Sequence, residues 1–268
     1  YLTLPPSPDQ FMHAYMGWRL LEGDIPYRDF FDTNWPGVWA LHALAIALFG
    51  VNLWSWHAFD FLLFGISALF LADLARLAAG PNAGRSSLIL LPVIYVGAGY
   101  WLAGQHDMTA GQFLVAALWF HVRACQRSGV GWPLAAGTLI GAAMLNKPTV
   151  GILLPLLLLQ MLWLGIPARK SFAHALAMTV GLLAAILTAT GAVLLTGASA
   201  KDLIDNVYTF NIYTQFMDTP VYEKRGLAYM IWFVLLDQGR WNWVLVLGSL
   251  PALFWIFRAS NRTVASTA

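Results

Sequence analysis

The stretch from Leu53 to Ala78, LWSWHAFDFLLFGISALFLADLARLA, decides how the rest of the chain is read. Apart from Asp60 it carries no charge until Asp73 and Arg76 near its end. It therefore exceeds the ~20 apolar residues that a helix needs to cross a bilayer. Arg76, with Arg85 nine residues on, marks that end as the inner one, because basic residues collect on the cytoplasmic side. Ignoring His, further charge-free windows run over 33–59, 86–106, 108–122, 128–146, 148–168, 171–200 and 241–257. Alternation from the first span sends 87–103 out, 109–124 in, 133–147 out, 149–166 in, 172–197 out and 241–257 in. The charges test this order. Arg76, Arg85, Arg123, Arg127, Arg169, Lys170, Arg258 and Arg262 all fall inside, with Asp73 as the only acid among them. Asp9, Glu22, Asp24, Asp29, Asp32, Asp107, Asp202, Asp205, Asp218, Glu223 and Asp237 fall outside.

Composition agrees with this reading. The chain has 268 residues, 59% hydrophobic and only 10% charged, which excludes an ordinary soluble domain. The expected fold is all-α: one polytopic membrane helical bundle over 1–268, with extracytoplasmic loops and interfacial helices. A net charge of +2 with no Lys/Arg cluster leaves no footprint for nucleic acid. The single cysteine, Cys125, excludes an intramolecular disulfide framework and a cysteine-based zinc site. The opening YLTLPPSPDQ has no apolar core of a cleavable signal, and an upstream segment is expected.

Residues 1–36 form a first outer loop, 37–197 hold membrane helices, 198–240 form a second outer loop, and 241–258 form the last membrane helix. Long ordered loops usually bind or react with something, so function faces outward. Residues 36–49, PGVWALHALAIALF, are apolar but short, and a crossing there would invert every later assignment. They read as a helix lying at the interface. GLAYMIWFVLL, 226–236, reads as a second one.

Several groups can carry chemistry. Asp9 and His13 are four apart and share a face on a helix, as an acid/base pair or as two metal ligands. Alternatively, Asp9 is a helix cap and His13 a surface residue. Tyr27, Arg28, Asp29 and Asp32 lie just before Trp35-Pro36; membrane anchoring explains the aromatics but not the acids. GQHDMT puts His106 and Asp107 in the next outer turn, where Asp107 is either functional or a cap. Lys147, in MLNKPTVG between two charge-free windows, either snorkels or forms a fixed cation for an anionic lipid headgroup. Asp60 lies inside a span near His57 and reads as polar glue or as part of a site. No GxSxG, HExxH, P-loop or GxGxxG occurs, so nucleotide binding and serine hydrolysis have no support.

The run PSPDQFMHAYMGWRLLEGDIPYRDFFDTNWPGVWALHALAIALFG, then GQHDMT, then MLNKPTVG, resembles the bacterial GT-C glycosyltransferases, the integral-membrane relatives of protein O-mannosyltransferases and lipid A aminoarabinose transferases. The likeness spans roughly residues 5–165, and YTFNIYTQF resembles that family's outer loop. It implies a bacterial inner-membrane enzyme that takes a sugar from a polyprenyl-phosphate donor to a hydroxyl-bearing acceptor at the outer face. It also implies a membrane helix ahead of the first loop. By resemblance Asp9 and Asp107 are the catalytic acids and Lys147 the phosphate contact. His13, Arg28, Asp29, Asp32 and His106 are the further candidates for substrate binding. Many relatives carry Lys-Pro where this chain has Asn34-Trp35-Pro36, so that contact is absent or passes to Arg28. One carboxylate base opposite the leaving lipid phosphate gives inversion. Oxygen ligands at Asp9 and Asp107 would suit Mg²⁺ or Mn²⁺, although the chemistry does not demand a metal. The competing expectation is a transporter or lipid flippase lined by His57, Asp60 and Lys147; a binding scaffold is a third.

Overall fold

The computed structural model describes residue 2 and residues 5–97, 99 and 103–210. The expected interfacial helix at 226–236 and the expected crossing at 241–258 lie outside the described residues. Within them the fold is all-α, and its elements run α1 (Pro8–Leu21), α2 (Gly37–Phe49), α3 (Ser55–Ala79), α4 (Pro81–Gly97), α5 (His106–Gln126), α6 (Gly131–Met144), a 3₁₀ turn (Pro148–Ile152), α7 (Leu153–Trp163), α8 (Ala168–Leu195), α9 (Ala200–Ile204) and a π turn (Asp205–Thr209).

Two of these, α3 and α8, are long and apolar enough to cross a membrane. The other expected spans are shorter. Between 133 and 166 the sequence reads as two crossings, but Pro148 and Gly151 build a 3₁₀ turn, leaving α6 with 14 residues and α7 with 11. Large apolar side chains stay exposed along these helices, among them Leu69, Ile89, Val93, Leu159, Trp163, Phe172 and Leu187. A water-soluble monomer does not carry apolar surface on this scale, and lipid is the solvent that suits it.

Close backbone approach holds the bundle together. The α6–α8 contact is built on Gly137, Gly141 and Gly181: a methyl group at Gly137 would collide with the Met178 carbonyl, and one at Gly181 with the Leu134 carbonyl. Small residues one helical turn apart allow helices to touch where apolar burial gives no drive inside lipid. Ala117, Ile140, Leu157, Met178 and Leu182 fill the space between α5, α6, α7 and α8.

The two ends of the bundle carry different charge. At one, Asp73 pairs with Arg76 and Arg123 and accepts from Trp119 Nε1, while Lys170 Nζ donates to the Cys125 carbonyl. These are residues assigned to the inner side by sequence. The opposite end gathers α1, α2 and the starts of α3 and α5. Helix α2 lies across that end. Its Gly37 N–H donates to the Leu145 carbonyl at the end of α6, and its His42 stacks on Trp56, whose Nε1 donates to the Gly104 carbonyl just before α5. At ~1.5 Å per residue, a helix of 13 residues is too short to span ~30 Å of hydrocarbon. Residues 1–36, read as the first outer loop, contain α1, which lays Gly17 against the α2 backbone.

Candidate active site

Construction of the site begins at Ser7. Its hydroxyl caps α1 by accepting from Gln10 N–H, and the Gln10 side chain accepts from Ser7 N–H in return. Gln105 Nε2 donates to the same Ser7 hydroxyl (2.7 Å) and Gln10 Nε2 to the Ala103 carbonyl (3.0 Å). The start of α1 is thereby fastened to the approach to α5. The cap is Ser7 rather than Asp9. Asp9 occupies the first turn, exposed, with no hydrogen bond or ion pair to another described residue. His13, one turn further on the same face, is 3% exposed.

The loop after α1 brings a second strand of the site. Tyr27 takes a left-handed backbone (φ 64°), a conformation that costs a bulky residue free energy unless its surroundings hold it. They do: the ring is buried edge-on against Trp39 and its hydroxyl donates to the Asn34 carbonyl (2.8 Å). This clamp presents Asp32 and Asn34 to His13. Asp32 Oδ1 accepts from the Asn34 N–H (3.0 Å) and from Asn34 Nδ2 (2.9 Å), and Asn34 Nδ2 lies 3.3 Å from His13 Nε2.

The third side comes from α5 and the turn after α6. The His106 ring meets His13 edge-on at 5.8 Å, and its Nε2 lies 3.1 Å from Asp107 Oδ1. Lys147 Nζ donates to both Asp107 oxygens, at 3.0 and 3.3 Å. His42 reaches the cluster from α2, its ring 5.9 Å from that of His13.

Electrostatics assign states to these groups. Burial, with His106 nearby, pushes the His13 imidazole down to about 4, so the ring is neutral at pH 7 and its Nε2 can accept from Asn34. Burial pushes the Asp32 carboxyl up despite its bonds to Asn34. The hydrogen bond from His106, together with Lys147, holds Asp107 down at about 2. Asp107 is thus a fixed anion and a weak base.

An apolar cavity of about 380 Å³ lies between α2, the end of α6 and α8. Gly37, Leu41 and Leu44 of α2, Leu145 and Asn146 of the α6 end, and Val193 of α8 line it. Asn146, which lines this cavity, directly precedes Lys147 in the chain.

The structure therefore brings together His13, Asp32, His106, Asp107 and Lys147. Arg28 and Asp29 are not among them. They pair with each other at 2.9 Å, and Asp29 also accepts from the Ile25 N–H, on the side facing Asp24 and Asp202. The Arg28 pair holds Asp29 down at about 2. Asp60 accepts from Tyr95 Oη and Gln112 Nε2 in a buried network between α3, α4 and α5. Ser7, Gln10, Asn34, His42 and Gln105 escaped the sequence reading as site residues. Asn34 alone left a signal, as the departure from a Lys-Pro pair. Among the described residues no group of three His, Cys, Asp or Glu side chains is arranged to hold a metal ion, and His106 and Lys147 both contact Asp107.

A family model described as dolichyl-phosphate-mannose-protein mannosyltransferase matches residues 34–194, from Asn34 of the site to the end of α8. No curated protein and no solved structure matches the chain.

Proposed function

Because the chain belongs to the dolichyl-phosphate-mannose-protein mannosyltransferase family, and is therefore a membrane glycosyltransferase, we propose that it moves a sugar from a polyprenyl-phosphate donor to a hydroxyl acceptor, with inversion, at the outer face of a bacterial inner membrane. The observation that carries this reading is Lys147, paired with Asp107 and next in the chain to Asn146 of the apolar cavity wall. A lipid phosphate has two parts with opposite needs. Its chain seeks an apolar groove and its phosphate a cation, and these are adjacent in sequence here.

In the proposed reaction the acceptor hydroxyl gives its proton to the Asp9 carboxylate as its oxygen bonds to the anomeric carbon. The bond from that carbon to the phosphate oxygen breaks, and the electron pair leaves with the lipid phosphate. Lys147 Nζ stabilises the charge that develops there. Asp9 suits the base because its carboxylate is exposed and uncommitted among the described residues. Asp107 is a positioning residue, aiming Lys147 and His106, and neutral His13 offers a hydrogen bond to a sugar hydroxyl. No step uses a metal.

Purified protein in lipid nanodiscs, supplied with radiolabelled polyprenyl-phosphate mannose, glucose and aminoarabinose beside GDP-mannose and UDP-glucose, tests this. The reading expects release of free polyprenyl phosphate from at least one lipid donor. Turnover of the nucleotide sugars alone would overturn it, as would transbilayer movement of a lipid donor without cleavage.

A further inference from the structure

A second cavity, of about 420 Å³, lies on the other side of α2. At about 100° per residue, Gly37, Ala40, Leu41 and Leu44 face the first cavity, while His42, Ala45 and Ile46 face the second. Its walls are the aromatic face of α1 (Phe11, Tyr15 and Trp18) and, across from them, Trp56 and His42. The volume is that of a small-molecule site, about 300–1,000 Å³.

Part of its hydrogen-bonding capacity is unspent, while Trp56 Nε1 and Gln10 Nε2 donate to the Gly104 and Ala103 carbonyls. His42 is 2% exposed, and its Nδ1 is buried with no partner. Neither Tyr15 Oη nor Trp18 Nε1 makes a hydrogen bond within the described residues. A buried polar atom left unpaired is costly, and an occupant with hydroxyl groups would relieve that cost. Membrane anchoring accounts for exposed Phe11 and Tyr15 at an interface. It requires neither a concavity nor an orphaned imidazole in its wall. Flat aromatic faces that carry polar atoms at their edges match a pyranose, whose ring presents apolar C–H faces and a belt of hydroxyls. His42 also links this cavity to the site, its ring 5.9 Å from that of His13, which is in turn 5.8 Å from that of His106.

We propose that this cavity, lined by Tyr15, Trp18, His42 and Trp56, binds a pyranose ring of the acceptor, so that donor and acceptor enter from opposite sides of α2. The proposal rests on the transferase reading and names its acceptor class as carbohydrate. The test leaves the donor out, so its outcome is independent of whether transfer occurs. Saturation-transfer NMR on the full chain in nanodiscs would be run with methyl α-mannoside, methyl α-glucoside and methyl α-galactoside, and with acetyl-Ala-Thr-Ala-amide. At least one methyl glycoside is expected to bind saturably at millimolar concentration. Trp18→Leu is expected to weaken that binding at least tenfold, and Tyr15→Phe, which removes only the hydroxyl of an exposed residue, by threefold or more. Binding of the peptide alone, no saturable glycoside binding, or glycoside binding unaltered by both substitutions would overturn the proposal. Loss of polyprenyl-phosphate cleavage with glycoside binding intact would instead remove the donor reading and leave this cavity a sugar site.

Discussion

Replacing Asp9 with asparagine keeps the side chain's size and removes its ability to take a proton. The helix start is unaffected in its main contact, because Ser7 is the cap. A charge in the first turn is worth only ~0.3–1 kcal/mol through the helix dipole, whereas a positioned base contributes about 10²–10⁴-fold. Asp9→Asn is therefore expected to lose most single-turnover transfer while donor affinity holds; near-normal transfer would remove Asp9 from the mechanism. Lys147→Ala takes the opposite course. A charge-assisted contact is worth about 1.5–3 kcal/mol, so donor Kd is expected to rise roughly ten- to a hundredfold, with Lys147→Arg recovering part. Lost stability does not explain that effect, since an ion pair as exposed as Lys147–Asp107 contributes at most about 1 kcal/mol. His13 gives the pH dependence. Its folded pKa, about 4, lies below the ordinary 6.5, so between those values the unfolded chain binds the extra proton. Stability is present above about 6.5 and falls as pH drops toward 4. Asp107 stays ionised in the folded protein throughout that window and adds to the slope only near its low end, where the carboxyl of the unfolded chain begins to take up a proton. Melting temperatures at pH 7 and 4.5 should differ less in His13→Gln than in the parent protein.

The helices differ in how far they can be altered. Gly137→Leu or Gly181→Leu drives a side chain into the facing backbone of the α6–α8 contact, where no flexible atom can yield. Overpacking costs ~1–3 kcal/mol even where neighbours can shift, so thermal unfolding should show either variant severely destabilised. Gly111, on α5 with open space around it, is the comparison: Gly111→Ala should be neutral or stabilising. The same elements show what could be read from sequence. Helix α3 was legible because a long apolar run ending in Arg76 has a single interpretation, and α2 was legible as an apolar stretch too short to cross a bilayer. The break at Pro148 was legible only as a turn between two crossings; that the following residues form a 3₁₀ segment depends on local backbone geometry. In the site, Asp107 and Lys147 stood out as charges among apolar windows. Asn34 and His42 did not, because an amide or an imidazole in an apolar run carries no charge signal, and their roles arise from the Tyr27 clamp and from the crossing of α1 over α2. Arg28 drew attention through its charge and its place in the sequence, and the fold pairs it with Asp29.

At the scale of the molecule, the described residues separate their charge between two ends, with Asp73, Arg76, Arg123 and Lys170 at one and the His13–Asp107–Lys147 cluster at the other. We assign the cluster to the outer side. A single cysteine at Ser199, in a background with Cys125 replaced, should accordingly react with an impermeant maleimide added outside intact cells. Activity and orientation can be tested together in sealed membrane vesicles of known sidedness, loaded with a labelled polyprenyl-phosphate sugar and given an impermeant acceptor on the outside. The account predicts release of polyprenyl phosphate and labelled acceptor from right-side-out vesicles, with none from inverted vesicles until they are permeabilised; transfer in sealed inverted vesicles, or transfer that requires a nucleotide sugar, would contradict it.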